Sequence, residues 1–322
     1  MRRLGLRIED TPLAAILAEF DKELAAAGIV RVKPRFYLST EWGVPFETVA
    51  VAIPFYLARV DLAELHAERA GMVEGESAQE ILRYLRHEMG HVVSYAYELY
   101  DREDWVESFG AMSQPYVEEY RPEPWSPRFV RHLPGWYAQK HPDEDWAETF
   151  AVWMTPGLDW RAEYRAWPLA LAKLELCDRI MAEIADVDPS VTDDELDEDI
   201  GEIEYSIEDF YRTSLPAPPE LPPGLDGALR AIFAEASDAS TGQSRAAAEV
   251  IAAHGRALSR SVFTWTGHFP EHTHALLRHI ADRAADLGLV CPQGQETRVL
   301  LELAVFVASL AMTHVHRGNY AP

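Results

Sequence analysis

From residue 77 to residue 100 the chain reads SAQEILRYLRHEMGHVVSYAYELY. Ile81, Leu82, Leu85, Met89, Val92, Val93 and Ala96 recur at the spacing of one helical face. The stretch therefore predicts a long helix over about 78–100 that buries an apolar stripe. Ser77 and Glu80 stand at its start with the spacing of a capping box. Inside this helix lies His87-Glu88-Met89-Gly90-His91. Residues i and i+4 share a helix face one turn apart, and two imidazoles placed so can converge on one Zn²⁺. Glu88 lies one residue along, near such an ion but not needed as a ligand. There it can take a proton from the attacking water and later pass it to a leaving amine. Gly90 has no side chain, so another segment can approach closely at that point. The bland reading is a surface pair of histidines on an amphipathic helix. The cap, the apolar stripe and the β-rich run just upstream weigh against it.

A zinc ion that does chemistry needs a third protein ligand and an open position. The sequence offers one in His141-Pro142-Asp143-Glu144-Asp145-Trp146-Ala147-Glu148. Pro142 suits the first turn of a helix, expected to end before Pro156-Gly157. Glu144 and Glu148 then share a face, while Trp146 and Phe150 can pack on another. One carboxylate can bind the ion, and the other can accept a hydrogen bond from a ligand imidazole. Spacing alone does not assign these two roles, and Asp143 and Asp145 are the alternatives. The ordinary reading is an acid-rich helix start stabilised by the helix dipole.

Around these two segments the pattern predicts a helix over about 12–27, with Thr11 as cap, Pro12 in its first turn and Gly28 at its end. Strand-like runs follow at 35–38 and 48–57. Pro54 marks the second as an edge strand or a strand end. An edge strand over 52–57 would suit pairing with an extended peptide substrate; the alternative is simple core β-structure. Residues 101–135 read as irregular, and a further helical stretch covers about 160–185. From 183 to 209 the chain carries many acids and no Lys or Arg, as expected of a solvated surface or mobile loop. An autoinhibitory role is the sharper alternative. Residues 215–224, LPAPPELPPG, read as a semi-rigid linker. Helices are expected beyond it at 226–237, 244–261, 271–287 and 295–315. The expected architecture is α+β. A mostly helical domain with a small sheet spans 1–214, the linker spans 215–224, and an all-α helical bundle at 225–322 is open to a protein partner.

Composition narrows the function. A net charge of −24 over 322 residues would repel a phosphate backbone, so nucleic acid is not an expected partner. Cys177 and Cys291 are the only cysteines, too few for a disulfide framework or a Cys-rich zinc module. They suggest reduced thiols in a cytoplasmic protein. No apolar run follows Met1-Arg2-Arg3, so a signal peptide is not expected. The most apolar late run, 303–312, is too short for a bilayer and is flanked by Glu302 and His314, so no membrane is expected either. His272, His274, His279, His314 and His316 invite a second metal site. No carboxylate or Cys spacing supports one, and they are read as packing or surface residues.

The phrase H-E-M-G-H (87–91) followed by E-D-W-A-E-T-F (144–150) resembles the gluzincin metallopeptidases, of the thermolysin and anthrax lethal factor type. There the first acid of the later helix binds zinc and the second supports a ligand histidine. Carried over, the resemblance implies Glu144 as ligand and Glu148 as support. In lethal factor a tyrosine seven residues before the ligand glutamate lies at the metal. Tyr137 has that offset, which implies a phenol that stabilises the developing oxyanion; otherwise it is a core tyrosine beside Trp136. The phrases LGLRIEDTPL (4–13), AIPFYL (52–57), LRHEMGH (85–91) and YAQKHPDEDWAETFAVW (137–153) are similar to a family of zinc-binding metallopeptidases of bacteria, over about 1–215. The resemblance implies a zincin-like domain with one Zn²⁺ per chain on His87, His91 and Glu144. It also implies Glu88 as general base in the hydrolysis of a peptide or isopeptide bond. Two other expectations compete. One is a catalytically inactive zinc-binding scaffold that recruits a partner through 225–322, a role that does not need Glu88. The other is an amidase or isopeptidase acting on one specific protein.

Overall fold

The computed structural model describes residues 1–117, 120–214, 224–236 and 244–320. The chain divides into two compact units, Met1–Leu65 with Val73–Phe210, and His66–Met72 with Tyr211–Pro322.

In the first unit α1 (Leu13–Ala26) begins where Thr11 Oγ1 accepts from Leu13 N at 3.3 Å. β1 (Arg35–Ser39) and β2 (Ala50–Pro54) form a parallel two-stranded sheet with Tyr37 opposite Ala52. β2 is shorter than the apolar run around it. Pro54 has no N–H for a ladder, and Phe55–Ala58 turn into a 3₁₀ helix. All five β2 residues are buried. On the side away from β1, Ala52 N donates to Gly43 O at 2.8 Å. The expected peptide-pairing edge over 52–57 is thus corrected: β2 is core structure with part of its outer edge already used.

After α2 (Val60–Ala70) comes α3 (Ala78–Ala96). Ser77 caps α3, its side chain accepting from Glu80 N at 3.2 Å. The helix stops short of residue 100, where Glu98 takes a left-handed conformation at φ 50°. Its stripe of Leu85, Met89, Val92, Val93 and Ala96 is buried. α4 (Glu103–Phe109) places Trp105 and Phe109 in the core within an otherwise irregular stretch. α5 (Pro142–Met154) starts at its proline, with His141 Nδ1 accepting from Asp143 N at 3.2 Å. Trp146, Ala147, Phe150 and Ala151 of α5 are fully buried. The single helix expected over 160–185 is two, α6 (Trp160–Glu163) and α7 (Pro168–Ile184). The break falls at Trp167, because proline disfavours helical backbone in the residue before it.

The acidic run ends in α8 (Ile207–Ser214). Residues 191–200 of that run are mostly exposed, as a solvated surface would be, and they lie along the sheet. Val49 N donates to Asp193 O at 2.7 Å, and Ile200 N donates to Leu38 O at 2.9 Å. The Tyr37 hydroxyl donates to Asp197 O at 2.9 Å. Arg31 and Arg35 pair with Asp188 and Asp194 at the surface.

The second unit contains α9 (Leu225–Ile232), β3 (Ala234–Glu235), β4 (Arg245–Ala246), α10 (Ala247–Thr266), α11 (Pro270–Asp286), β5 (Leu289–Cys291) and α12 (Glu296–Arg317). The all-α expectation is corrected, because β5 lies between β3 and β4 in a small antiparallel sheet. The helix expected to reach 237 stops at Ile232, since Phe233 turns extended (φ −107°, ψ 163°) and leads into β3. Leu229, Val250, Leu276, Ile280, Leu303 and Val307 belong to this unit's core. α12, at 22 residues, is long and apolar enough by length and composition alone to cross a membrane. That corrects the reading of 303–312 as too short. Val299, Leu303, Val307, Leu310 and Ala311 are nonetheless buried in the unit's own core. The linker expected at 215–224 lies, apart from Gly224, outside the described residues.

Candidate metal centre

α3 and α5 meet where neither has bulk to hold them apart. A Cβ added at Gly90 would lie 2.7 Å from Cα of Ala147. Trp146 Nε1 donates to Gly90 O at 2.8 Å and ties the helices together at that level. The close approach sets the polar residues of α3 against those of α5.

Three ligand atoms result. His87 Nε2 lies 3.0 Å from Glu144 Oε2, His91 Nε2 lies 3.3 Å from the same oxygen, and the two Nε2 atoms are 3.2 Å apart. A tetrahedral Zn²⁺ with bonds of about 2.1 Å spreads its ligand atoms by about 3.4 Å. The triangle is close to one face of such a site.

Behind the triangle stand further acids. Glu148 is 0% exposed, and its Oε1 lies 3.0 Å from His87 Nδ1. Its oxygens also accept from His132 N at 2.9 Å and from Leu133 N at 2.9 and 3.0 Å. With the His87 Nδ1–H donated to Glu148, Nε2 is left as a lone pair facing Glu144. Asp143 Oδ2 lies 3.0 Å from His91 Nδ1. This is an ion-pair distance without hydrogen-bond alignment. The same Asp143 oxygen accepts from the Tyr95 hydroxyl. The Tyr116 hydroxyl donates to Glu144 Oε1 at 2.6 Å, leaving Oε2 to the imidazoles.

The charge balance is lopsided. Glu88, Asp143, Glu144 and Glu148 are all buried. Among the described residues none of them pairs with Lys or Arg, and the ion-pair partners of Asp143, Glu144 and Glu148 are the two imidazoles. Buried carboxylates of this number are unfavourable unless neutralised. Burial alone would pull the His87 imidazole down, but its bonds to Glu144 and Glu148 and the charge of Glu88 raise it to about 9. Against the same burial, Asp143 and Glu144 hold His91 well above the ordinary range. Burial would raise Glu144, yet His91 and His87 pull it well below. Without an ion, protons must do the neutralising. A dication with two nitrogen ligands and one carboxylate oxygen would do it in their place, and the residues present fit Zn²⁺.

Glu88 is raised, chiefly by burial and further by Glu144 and Asp143. Among the described residues nothing hydrogen-bonds its carboxylate. Tyr137 lies on a turn (Pro134–Gln139) where Gly135 and Trp136 take φ of 82° and 64°. A non-glycine residue in that region carries strain of the order of 1 kcal/mol. The turn sets the Tyr137 ring 5.5 Å from the His87 ring. Burial, then the charge of Glu144, raises its phenol well above the usual value. Lys140 Nζ lies 5.2 Å from the Tyr137 ring and 4.4 Å from that of Tyr116.

The structure brings His87, Glu88, His91, Glu144, Glu148 and Tyr137 together, and adds Asp143 behind His91. It leaves Asp145 aside, where it pairs with Lys173 and burial pushes its carboxyl up to about 7. Sequence reasoning missed Tyr95, Tyr116 and the two N–H groups of His132 and Leu133. Tyr95 had a signal, one turn beyond His91 on the same face; the others had none.

Similarity to known proteins points the same way. An uncharacterized protein of Mycobacterium bovis is 34% identical over 110 residues, 30% of this chain and 30% of the relative. Uncharacterized proteins of Mycobacterium tuberculosis strains CDC 1551 and H37Rv match with the same figures, 34% over 110 residues and 30% of each chain. The match thus spans about 30% of the length of these curated relatives. No solved structure matches the chain. Residues 50–186 match the model of one family. That segment holds the whole triangle with Glu88, Tyr137, Asp143 and Glu148, and it is similar to the family described as "Putative zinc-binding metallo-peptidase".

Proposed function

We propose that the chain is a zinc-dependent hydrolase of peptide or isopeptide bonds, its ion held by His87, His91 and Glu144 and its general base Glu88. One observation carries the reading: three ligand atoms at 3.0–3.3 Å, among four buried carboxylates with no Lys or Arg partner among the described residues. Glu88 is the acid in this group that coordination does not use and that no hydrogen bond occupies among the described residues. A structural site would have no need of it.

Zn²⁺ bound there supplies Lewis acidity toward the scissile carbonyl and lowers the pKa of the attacking water. The rest falls to the chain. Glu88 receives the proton of the attacking water and delivers it to the leaving amine; burial raises its proton affinity toward that task. Tyr137 stays protonated, since burial raises its phenol, and donates to the developing oxyanion. Glu148 and Asp143 hold the two imidazoles with Nε2 turned to the ion. Tyr116 occupies the second oxygen of Glu144 and keeps Oε2 free for the metal. We assign this work to a zincin-like domain over 1–214 and regard 225–322 as a separate helical domain that engages a protein partner.

Glu88→Gln tests the reading. It should retain the zinc that His87→Ala loses, while turnover of a proteome-derived peptide library falls about 10³-fold. Wild-type turnover in the glutamine variant would sink the proposal, and loss of the zinc would make Glu88 a ligand instead.

A further inference from the structure

The second unit has its own gathering of imidazoles. His268 sits in the turn between α10 and α11, 2% exposed, with His272 one turn on in α11. His314 comes from the last turns of α12. The rings of His268 and His272 are 5.9 Å apart, those of His268 and His314 5.2 Å, and those of His272 and His314 5.8 Å. One nitrogen from each lies within 4.8 Å of the other two. His274, His279 and His316, singled out in the sequence, take no part. His268 joins the cluster without having been marked by any spacing.

His268 is also held in the form a ligand needs. His268 Nδ1 lies 2.7 Å from the Thr273 hydroxyl, whose oxygen is also 3.2 Å from Phe269 O and 3.5 Å from His268 O; with the hydroxyl proton on either carbonyl, Thr273 accepts from His268 Nδ1–H. In that tautomer Nε2 carries the lone pair and accepts from the Tyr320 hydroxyl at 2.9 Å.

We propose that His268, His272 and His314 form a second metal site, independent of the first, for a divalent transition ion of the zinc, copper or nickel kind. Neutral imidazoles select such ions over calcium or magnesium, which prefer oxygen ligands. The ligand atoms would close from within 4.8 Å toward the roughly 3.4 Å that a tetrahedral ion requires. The Tyr320 hydroxyl would give up its bond to His268 Nε2 when the ion binds, and that hydroxyl or a water would complete the shell. The ion would fasten the end of α12 to the turn before α11.

Equilibrium dialysis of the chelator-stripped full chain against Zn²⁺ decides the matter. The wild type should take up two equivalents. His272→Gln and His314→Gln should each take up one, with metal-free melting unchanged, and His87→Ala should also take up one. A wild type that binds a single equivalent, kept by His314→Gln and lost by His87→Ala, overturns the second site. A single equivalent with the opposite pattern would support this site and overturn the first. Should the glutamine variants fail to fold, Cu²⁺ bound to the His87→Ala chain gives a separate reading. Its electron paramagnetic resonance should show three imidazole nitrogens on one ion, and a spectrum with fewer than two overturns the proposal.

Discussion

In the first unit two imidazoles stand one turn apart on α3 and are backed by the carboxylates of α5. In the second, three imidazoles come from a turn and two helices, and a threonine hydroxyl stands behind His268. The first grouping carries a surplus of buried negative charge; among the described residues the second has none. Charge behind a ligand raises its basicity and fixes its direction, so the first should hold its ion much more tightly. On the proposed function the first also serves reaction, since among the described residues nothing hydrogen-bonds the buried Glu88 carboxylate beside it. The second has the makings of a fastening.

The largest expected effect is this difference in affinity. Chelator competition should show zinc at His87, His91 and Glu144 held at least about 100-fold more tightly than at the three histidines. Equal affinities would break the comparison. Next come the supports themselves. Asp143→Asn and Glu148→Gln should each weaken the first site by about 10- to 100-fold, narrowing the gap while leaving the second site as it was. An unchanged affinity in both variants would mean the acids serve folding alone.

Gly90→Ala probes the contact on which the first site depends. The new Cβ would meet the Ala147 backbone at 2.7 Å, so the helices must part. The expected loss is about 1–3 kcal/mol in urea unfolding, together with weaker zinc binding at the first site only. Wild-type stability would contradict so close an approach. Ser77→Ala gives the smallest effect, about 1 kcal/mol from the lost cap. The cap is nearly three turns from His87, so zinc affinity at both sites should not move. A fall at the first site would show that helix stability, rather than the acids, sets the difference.

The two groupings also differ in how far the sequence discloses them. α3 could be read because its stripe, its Ser77 cap and the His87–His91 spacing are all local to one helix. α5 could be read for the same reason, from Pro142 and the Glu144–Glu148 spacing. The different surroundings of those two glutamates could not. Both lie on one face, and what separates them is the backbone N–H of His132 and Leu133, which bind Glu148 from a loop with no regular pattern. The apolar run at 48–57 overstated the strand, because Pro54 ends the ladder before the hydrophobicity ends. The small sheet of the second unit escaped notice because its strands are only two or three residues long. The three-histidine cluster was hidden because its members lie on separate elements, and His268 precedes its helix rather than sharing its periodicity.

The most direct check is X-ray anomalous scattering at the zinc edge from crystals grown with zinc present. A strong peak about 2.1 Å from His87 Nε2, His91 Nε2 and a Glu144 oxygen, with Glu148 on the far side of His87, is the predicted result. No peak at that position, or an ion bound by Glu148 in place of Glu144, would contradict it.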